Sequence, residues 1–133
     1  MPLNIDQIRQ KYDAALKGLA DNTCRLREDD PPVLIEGGVY GGVWLECAPL
    51  EGLIYGRRRP EVARANHEIF FKHQRDDGYL PCWIWRDQIG SAQIQMVVPI
   101  AATALETADL IEDAGFLERA YEACGRWDHW LRR

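Results

Sequence analysis

The chain has no C-x-x-C pair and no histidine at zinc-finger spacing, so Cys24, Cys47, Cys82 and Cys124 spell neither a metal site nor a redox pair. An even cysteine count would permit two disulfides in a secreted protein. The start, MPLNIDQIRQ, has no basic segment followed by an apolar one, however, so four reduced, free thiols in a cytoplasmic protein are expected. Basic blocks are also missing beyond Arg57, Arg58 and Arg59, and a net charge of −5 argues against a phosphate-tracking surface, hence against nucleic acid as a partner. No stretch approaches the roughly 18 uninterrupted apolar residues of a membrane span. His67, His73 and His129 have no serine or cysteine partner in a triad pattern, which leaves nucleophilic ester or peptide hydrolysis without support and makes them surface or capping groups.

What is present is ordinary globular composition: 133 residues, 47% hydrophobic and 28% charged, enough for one domain with one core. Ile5, Ile8, Tyr12, Ala15 and Leu19 recur at helical spacing behind a capping-box-like Asn4 and Gln7, predicting a leading helix within residues 1–22. Residues 23–32, polar, acidic and closed by two prolines, read as a linker. Residues 33–47 read either as a short β-hairpin or as an irregular glycine-rich loop. Pro60 and Glu61 open a helix that runs to Gln74 and stops at Asp77-Gly78. A further helix lies within 93–112 and starts near Val98, because Pro99 cannot sit in a helix interior. Leu117, Ala120, Tyr121, Cys124, Trp127 and Leu131 form the apolar face of a last helix, antiparallel to it across a turn at Asp113 to Gly115.

The chemistry-bearing residues concentrate between Gly41 and Gln95. Trp44, Glu46, Glu51 and Tyr55 fall in a glycine-rich stretch ahead of the Pro60 helix; aromatic faces suit the C–H side of a pyranose, and carboxylates suit its hydroxyls. Trp83 and Trp85 flank Ile84 as on an extended segment, which puts both indoles on one side as a stacking platform or a packing plug. Gln93 and Gln95 stand at a helix entrance, where amides can bond hydroxyls. Glu46 and Glu51 are candidates for the carboxylate pair of glycoside hydrolysis; the structural alternative has Glu46 capping the loop and Glu51 paired with Arg57 or Arg58. Asp76, Asp77 and Asp87 are rim contacts at most. No residue pattern calls for a metal or another cofactor.

In order, Gly42-Val43-Trp44-Leu45-Glu46, Pro49, Gly52, Tyr55-Gly56, Ala65-Asn66, Phe71, Gln74, Asp77-Gly78 and Leu80-Pro81 resemble the opening hairpin of the six-hairpin glycosidases. Gln93-Ile94-Gln95 with Pro99 is similar to the entry of the next one. The resemblance covers residues 37–133 and implies a mainly α fold of antiparallel helical hairpins, of the α/α toroid type, and hydrolysis of glycosidic bonds in an aromatic-lined cleft. Six hairpins need a much longer chain, so residues 1–133 are expected to be a single domain forming the N-terminal part of a longer (α/α)6 barrel, with 33–133 as its hairpin region. The resemblance then makes Trp44, Glu46, Glu51, Tyr55, Trp83, Trp85, Gln93 and Gln95 the wall of a carbohydrate site and leaves the catalytic pair unassigned. Faces left open by a missing hairpin, with Trp127, Trp130 and Leu131 on them, would favour a homo-oligomer. The alternative to a glycoside hydrolase-like domain is a small helical interaction or oligomerisation module without catalysis.

Overall fold

A computed structural model describes residues 4–92 and 98–133 of the chain. Among these residues there are five helices, α1 (Ile5–Asp21), α2 (Ala48–Gly56), α3 (Pro60–Lys72), α4 (Ile100–Ile111) and α5 (Ala114–Leu131). Two small antiparallel sheets accompany them: β1 (Thr23–Cys24) with β2 (Val33–Leu34), and the meander β3 (Val43–Trp44), β4 (Trp83–Trp85), β5 (Gln88–Gly90). The domain is therefore mixed α and β, with helix predominating, and no closed toroid of hairpins is evident in it. No described helix is long and apolar enough to cross a membrane.

Two helical hairpins organise the core. In the first, α2 lies against α3 so closely that a Cβ on Gly52 would sit 2.6 Å from that of Asn66, and one on Gly56 would sit 2.4 Å from that of Ala63. Sequence periodicity leaves residues 48–56 as loop because glycine is a poor helix former. The two glycines are what let α2 pack this closely on α3, and that packing offsets their poor helix propensity. In the second hairpin, Glu112 takes a left-handed φ of 52° and Asp113 caps α5 by accepting from Phe116 N at 2.9 Å. Ala104 and Ala108 then meet Phe116 and Ala120. The helix after Pro99 begins at Ile100, two residues later than expected, since Pro99 serves as its N-cap.

Residues 23–32 are more than a linker. Thr23 and Cys24 pair with Leu34 and Val33, Leu26 is buried, and the buried Asp30 carboxylate accepts from Lys72 Nζ at 2.7 Å on α3. The strands expected to face each other across Gly37-Gly38 have other partners: β2 pairs with β1, and β3 pairs with β4. Between them runs a glycine-rich loop closed by Glu36 N donating to Gly42 O at 3.1 Å and Tyr40 N donating to Gly37 O at 3.1 Å.

Other expectations change with the packing. Trp127 is 3% exposed and stacks on the partly buried Trp130 at 5.4 Å, with Tyr79 edge-on to both, so these tryptophans fill the core instead of an open face. Leu131 also packs against that core. Exposed apolar side chains on this hairpin are Leu105, Leu110, Leu117 and Tyr121. The leading helix has no fully buried residue and attaches through Leu16 and Leu19, and through Tyr12, whose hydroxyl accepts from Arg58.

His67, expected as a surface or capping group, is fully buried between α3 and α4. Its Nδ1–H donates to Ala63 O at 2.8 Å, which leaves Nε2 to accept from the Thr103 hydroxyl at 2.9 Å. Burial lowers its pKa to about 4, against the upward pull of the Ala63 hydrogen bond. Because the folded value lies below the unfolded 6.5, the unfolded state takes up the proton first as pH falls, and stability that is complete above 6.5 drains away towards 4. That loss should reach about 3 kcal/mol. Denaturant midpoints of the wild type and a His67→Gln variant, measured from pH 7.5 to 4, should differ by this slope; superimposable pH profiles would refute it.

Candidate functional site

The three-stranded meander presents two unlike faces. Val43 and Ile84 pair across β3 and β4 and are buried on one side, so Trp44 and Trp83, the next cross-strand pair, lie on the other, with Trp85 two residues along. The Trp44 and Trp83 rings are 6.1 Å apart, and Tyr40 from the glycine-rich loop meets Trp44 edge-on at 6.0 Å. All three tryptophans are half-buried, whereas Tyr40 is 61% exposed. Glycines make this face possible. Gly90 pairs with Trp83, and a Cβ there would fall 1.8 Å from the indole nitrogen, while Gly42, at φ +86°, brings its backbone against Ile84 O. The Arg86 guanidinium covers Trp85 at 5.1 Å from the ring centre.

Beside this face stand the carboxylates. Cys47, the N-cap of α2, has its backbone N–H on Trp44 O at 3.2 Å, and its thiol donates to Glu36 Oε1 at 2.7 Å. Glu51 projects from the first turn of α2, and the donor atoms of Glu36, Cys47 and Glu51 all lie within 4.8 Å of one another. Burial, then the neighbouring Glu36 charge, raises the Glu51 pKa above its ordinary carboxylate value. Burial first, then the Glu36 hydrogen bond and the glutamate charges, pushes the Cys47 thiol upward and keeps it protonated. A cavity of about 160 Å³, lined by Leu19, Asn22, Leu34, Ile35, Glu36, Glu51 and Ile54, opens next to the two glutamates.

Asn66, fully buried on α3, holds these parts in register. Its Oδ1 accepts from Leu34 N at 2.8 Å, and its Nδ2 donates to Leu34 O at 3.0 Å and to Ala48 O at 2.9 Å. One side chain thereby fixes β2, two residues before Glu36, and the start of α2, one residue after Cys47.

The structure brings Trp44 and Trp83 together across the strands, while Trp85, two residues along β4, packs partly against the core; Glu46 is exposed and Glu51 half-buried, nearby in sequence on the turn into α2. Tyr55 is only 6% exposed and packs with Leu34 and Val62. Gln93 and Gln95 lie outside the described residues. The pairing of Glu51 with Arg57 or Arg58 does not form: Arg58 Nη2 donates to Tyr12 instead, and no lysine or arginine among the described residues is ion-paired with Glu51. Asp77 is engaged structurally by Arg75 at 2.7 Å and Trp130 at 3.3 Å, and Asp87 by Arg27 at 3.1 Å. Sequence reasoning missed Glu36, Tyr40, Cys47 and Asn66 as parts of this constellation. The cluster of glycines at 37–42 was the available signal, since glycines there let the chain fold its flanking residues together.

A roomier cleft of about 620 Å³ lies between α3, α5 and residues 29–31. Several of its charges are paired: Arg119 with Glu68, Arg64 with Glu68 and Asp113, and Lys72 with Asp30. Half-buried glutamates and tryptophans meet at the smaller region, where burial raises the Glu51 pKa, which makes it the better candidate. Comparison with family models, with curated proteins and with solved structures finds no match to this chain.

The raised Glu51 value carries a sign. A carboxyl with folded pKa above its unfolded value contributes most when protonated, below about 4.5, and loses that contribution as pH rises through the folded value. In metal-free buffer Glu51→Gln should therefore raise the melting temperature at pH 7, and the gain should vanish by pH 4. A variant that is less stable at pH 7 would contradict the like-charge reading of the pair.

Proposed function

We propose that this chain is a carbohydrate-binding, glycoside hydrolase-like domain that supplies the wall of a glycan cleft, with an oligosaccharide or glycoside as ligand. The observation that carries the reading is the sheet face on which Trp44 meets Trp83 and Tyr40, with Glu46 and Glu51 following Trp44 on the turn into α2 and in its first turn. Indole faces stack on the apolar side of a sugar ring while the carboxylates accept from its hydroxyls, so both halves of saccharide chemistry meet in one place. The pairing of α2 with α3 and of α4 with α5 into successive hairpins agrees with the repeating unit of an (α/α)6 glycosidase. No acid and base are assigned, and Glu46 and Glu51 stand as binding groups.

A second reading has support of its own. Tyr121 is 81% exposed and Leu105 53% exposed on the outer sides of α4 and α5, which suits a helical interaction or self-association module. Sedimentation that depends on concentration, without saccharide binding, would favour it.

Titration with a panel of neutral oligosaccharides should quench tryptophan fluorescence saturably. Trp44→Ala should weaken the binding by about tenfold, close to the about 1.4 kcal/mol of one lost stacking contact. Absence of saturable quenching across the panel would sink the carbohydrate reading.

A further inference from the structure

We propose that the cleft of about 620 Å³ between α3, α5 and residues 29–31 binds a small organic amine, with the ammonium on the Asp30 carboxylate and the apolar body on the walls. A volume of this size suits a small molecule. Pro31, Ile69, Phe71 and Ala123 supply apolar lining. Other lining side chains tie the walls together: Gln74 Nε2 donates to Ala123 O at 2.9 Å, and Arg126 Nη2 donates to Arg75 O at 2.6 Å. The cleft is therefore held open by the fold before any ligand enters.

An unfilled acceptor points to the ligand. Asp30 lines the cleft and is 1% exposed; its Oδ1 accepts from Lys72 Nζ at 2.7 Å, but its Oδ2 is buried without a hydrogen-bond partner among the described residues. The other buried side-chain atoms in that condition belong to Trp44, His73 and Thr107, none of which lines this cleft. An ionised acceptor left unfilled costs more than an indole, imidazole or hydroxyl, because it gives up more hydration. A donor arriving through the cleft removes that cost. Lys72, with its side chain 55% exposed, is the wall group free to turn outward as the donor enters.

The charges of the lining favour an ammonium over other donors. Glu68 holds Arg64 and Arg119, and Asp30 holds Lys72. Outside those pairs the lining carries Asp29 and Glu122 against Arg126 alone, and Arg126 is turned to a backbone carbonyl. The remaining field thus repels a carboxylate or phosphate and attracts a cation, and an ammonium makes a charge-assisted hydrogen bond to Asp30 that a hydroxyl does not. This cleft is separate from the tryptophan face and does not depend on the carbohydrate reading.

The full chain at neutral pH is titrated with phenethylamine, phenethyl alcohol and hydrocinnamate, and binding is read from the backbone amide resonances of Phe71, Lys72 and Ala123. The amine should shift them saturably, the alcohol should bind about tenfold more weakly, and the acid should not bind. Asp30→Asn should weaken the amine by about tenfold and leave the alcohol as it was. Trp44→Ala should leave the amine affinity unchanged, which keeps failure of this site distinct from failure of the carbohydrate reading. An amine that does not saturate, that binds no better than the alcohol, or that keeps its affinity in a folded Asp30→Asn protein would overturn the proposal. If Asp30→Asn does not fold, the exposed Glu122→Lys decides, and unchanged amine affinity in that variant overturns it equally.

Discussion

The buried amide of Asn66 is the contact on which the candidate site depends. The short strand that leads into the glycine-rich loop and the first turn of α2 both bring backbone polar groups into the buried interior, where leaving them unpaired would be penalised. Asn66 ties the two together, accepting from the N–H of Leu34 and donating to the carbonyls of Leu34 and Ala48. The absence of a side chain at Gly52 is what lets α2 approach near enough for this, since a Cβ there would sit 2.6 Å from that of Asn66. Hydrogen bonding and close packing are therefore one constraint rather than two.

The site's geometry follows from that constraint. Leu34 anchors the segment that delivers Glu36, and Ala48 anchors the turn that delivers Cys47 and Glu51. Between those anchors Gly42 crosses against Ile84 and leads into β3, which sets Trp44 beside Trp83. Aromatic stacking surface and uncompensated carboxylates thus share a backbone frame. Glu68 and Asp30 are held in ion pairs that tie α3 to its neighbours, whereas Glu36 and Glu51 are half-buried together without an ion-pair partner among the described residues.

Helices with long periodic faces were legible in the amino-acid sequence: α1, α3, α4 and α5 lie close to where spacing and caps put them. The helix α2 was not, because Gly52 and Gly56 signal loop locally and helix only once α3 is alongside. Pairing of the short strands was equally hidden, since β2 joins β1 and β3 joins β4, and two-residue strands carry almost no alternation to read. In the site, the shared face of Trp83 and Trp85 followed from their alternation with Ile84. Tyr55 read as a wall residue, yet its ring faces the cluster of Leu34 and Val62, because an aromatic within a helix is placed by the helix and not by its sequence neighbours. The roles of Glu36 and Cys47 became visible only when residues distant along the chain were brought together.

The dependence of the site on Asn66 is tested most directly by an Asn66→Ala variant, followed by denaturant unfolding and by amide hydrogen exchange. Three buried backbone groups would lose their partner, so stability should fall by about 3 kcal/mol, and the amides of Leu34 and Glu36 should exchange faster than those of α5 do. A loss within about 0.5 kcal/mol, with Leu34 and Glu36 still protected, would show that another contact holds β2 and α2 in place.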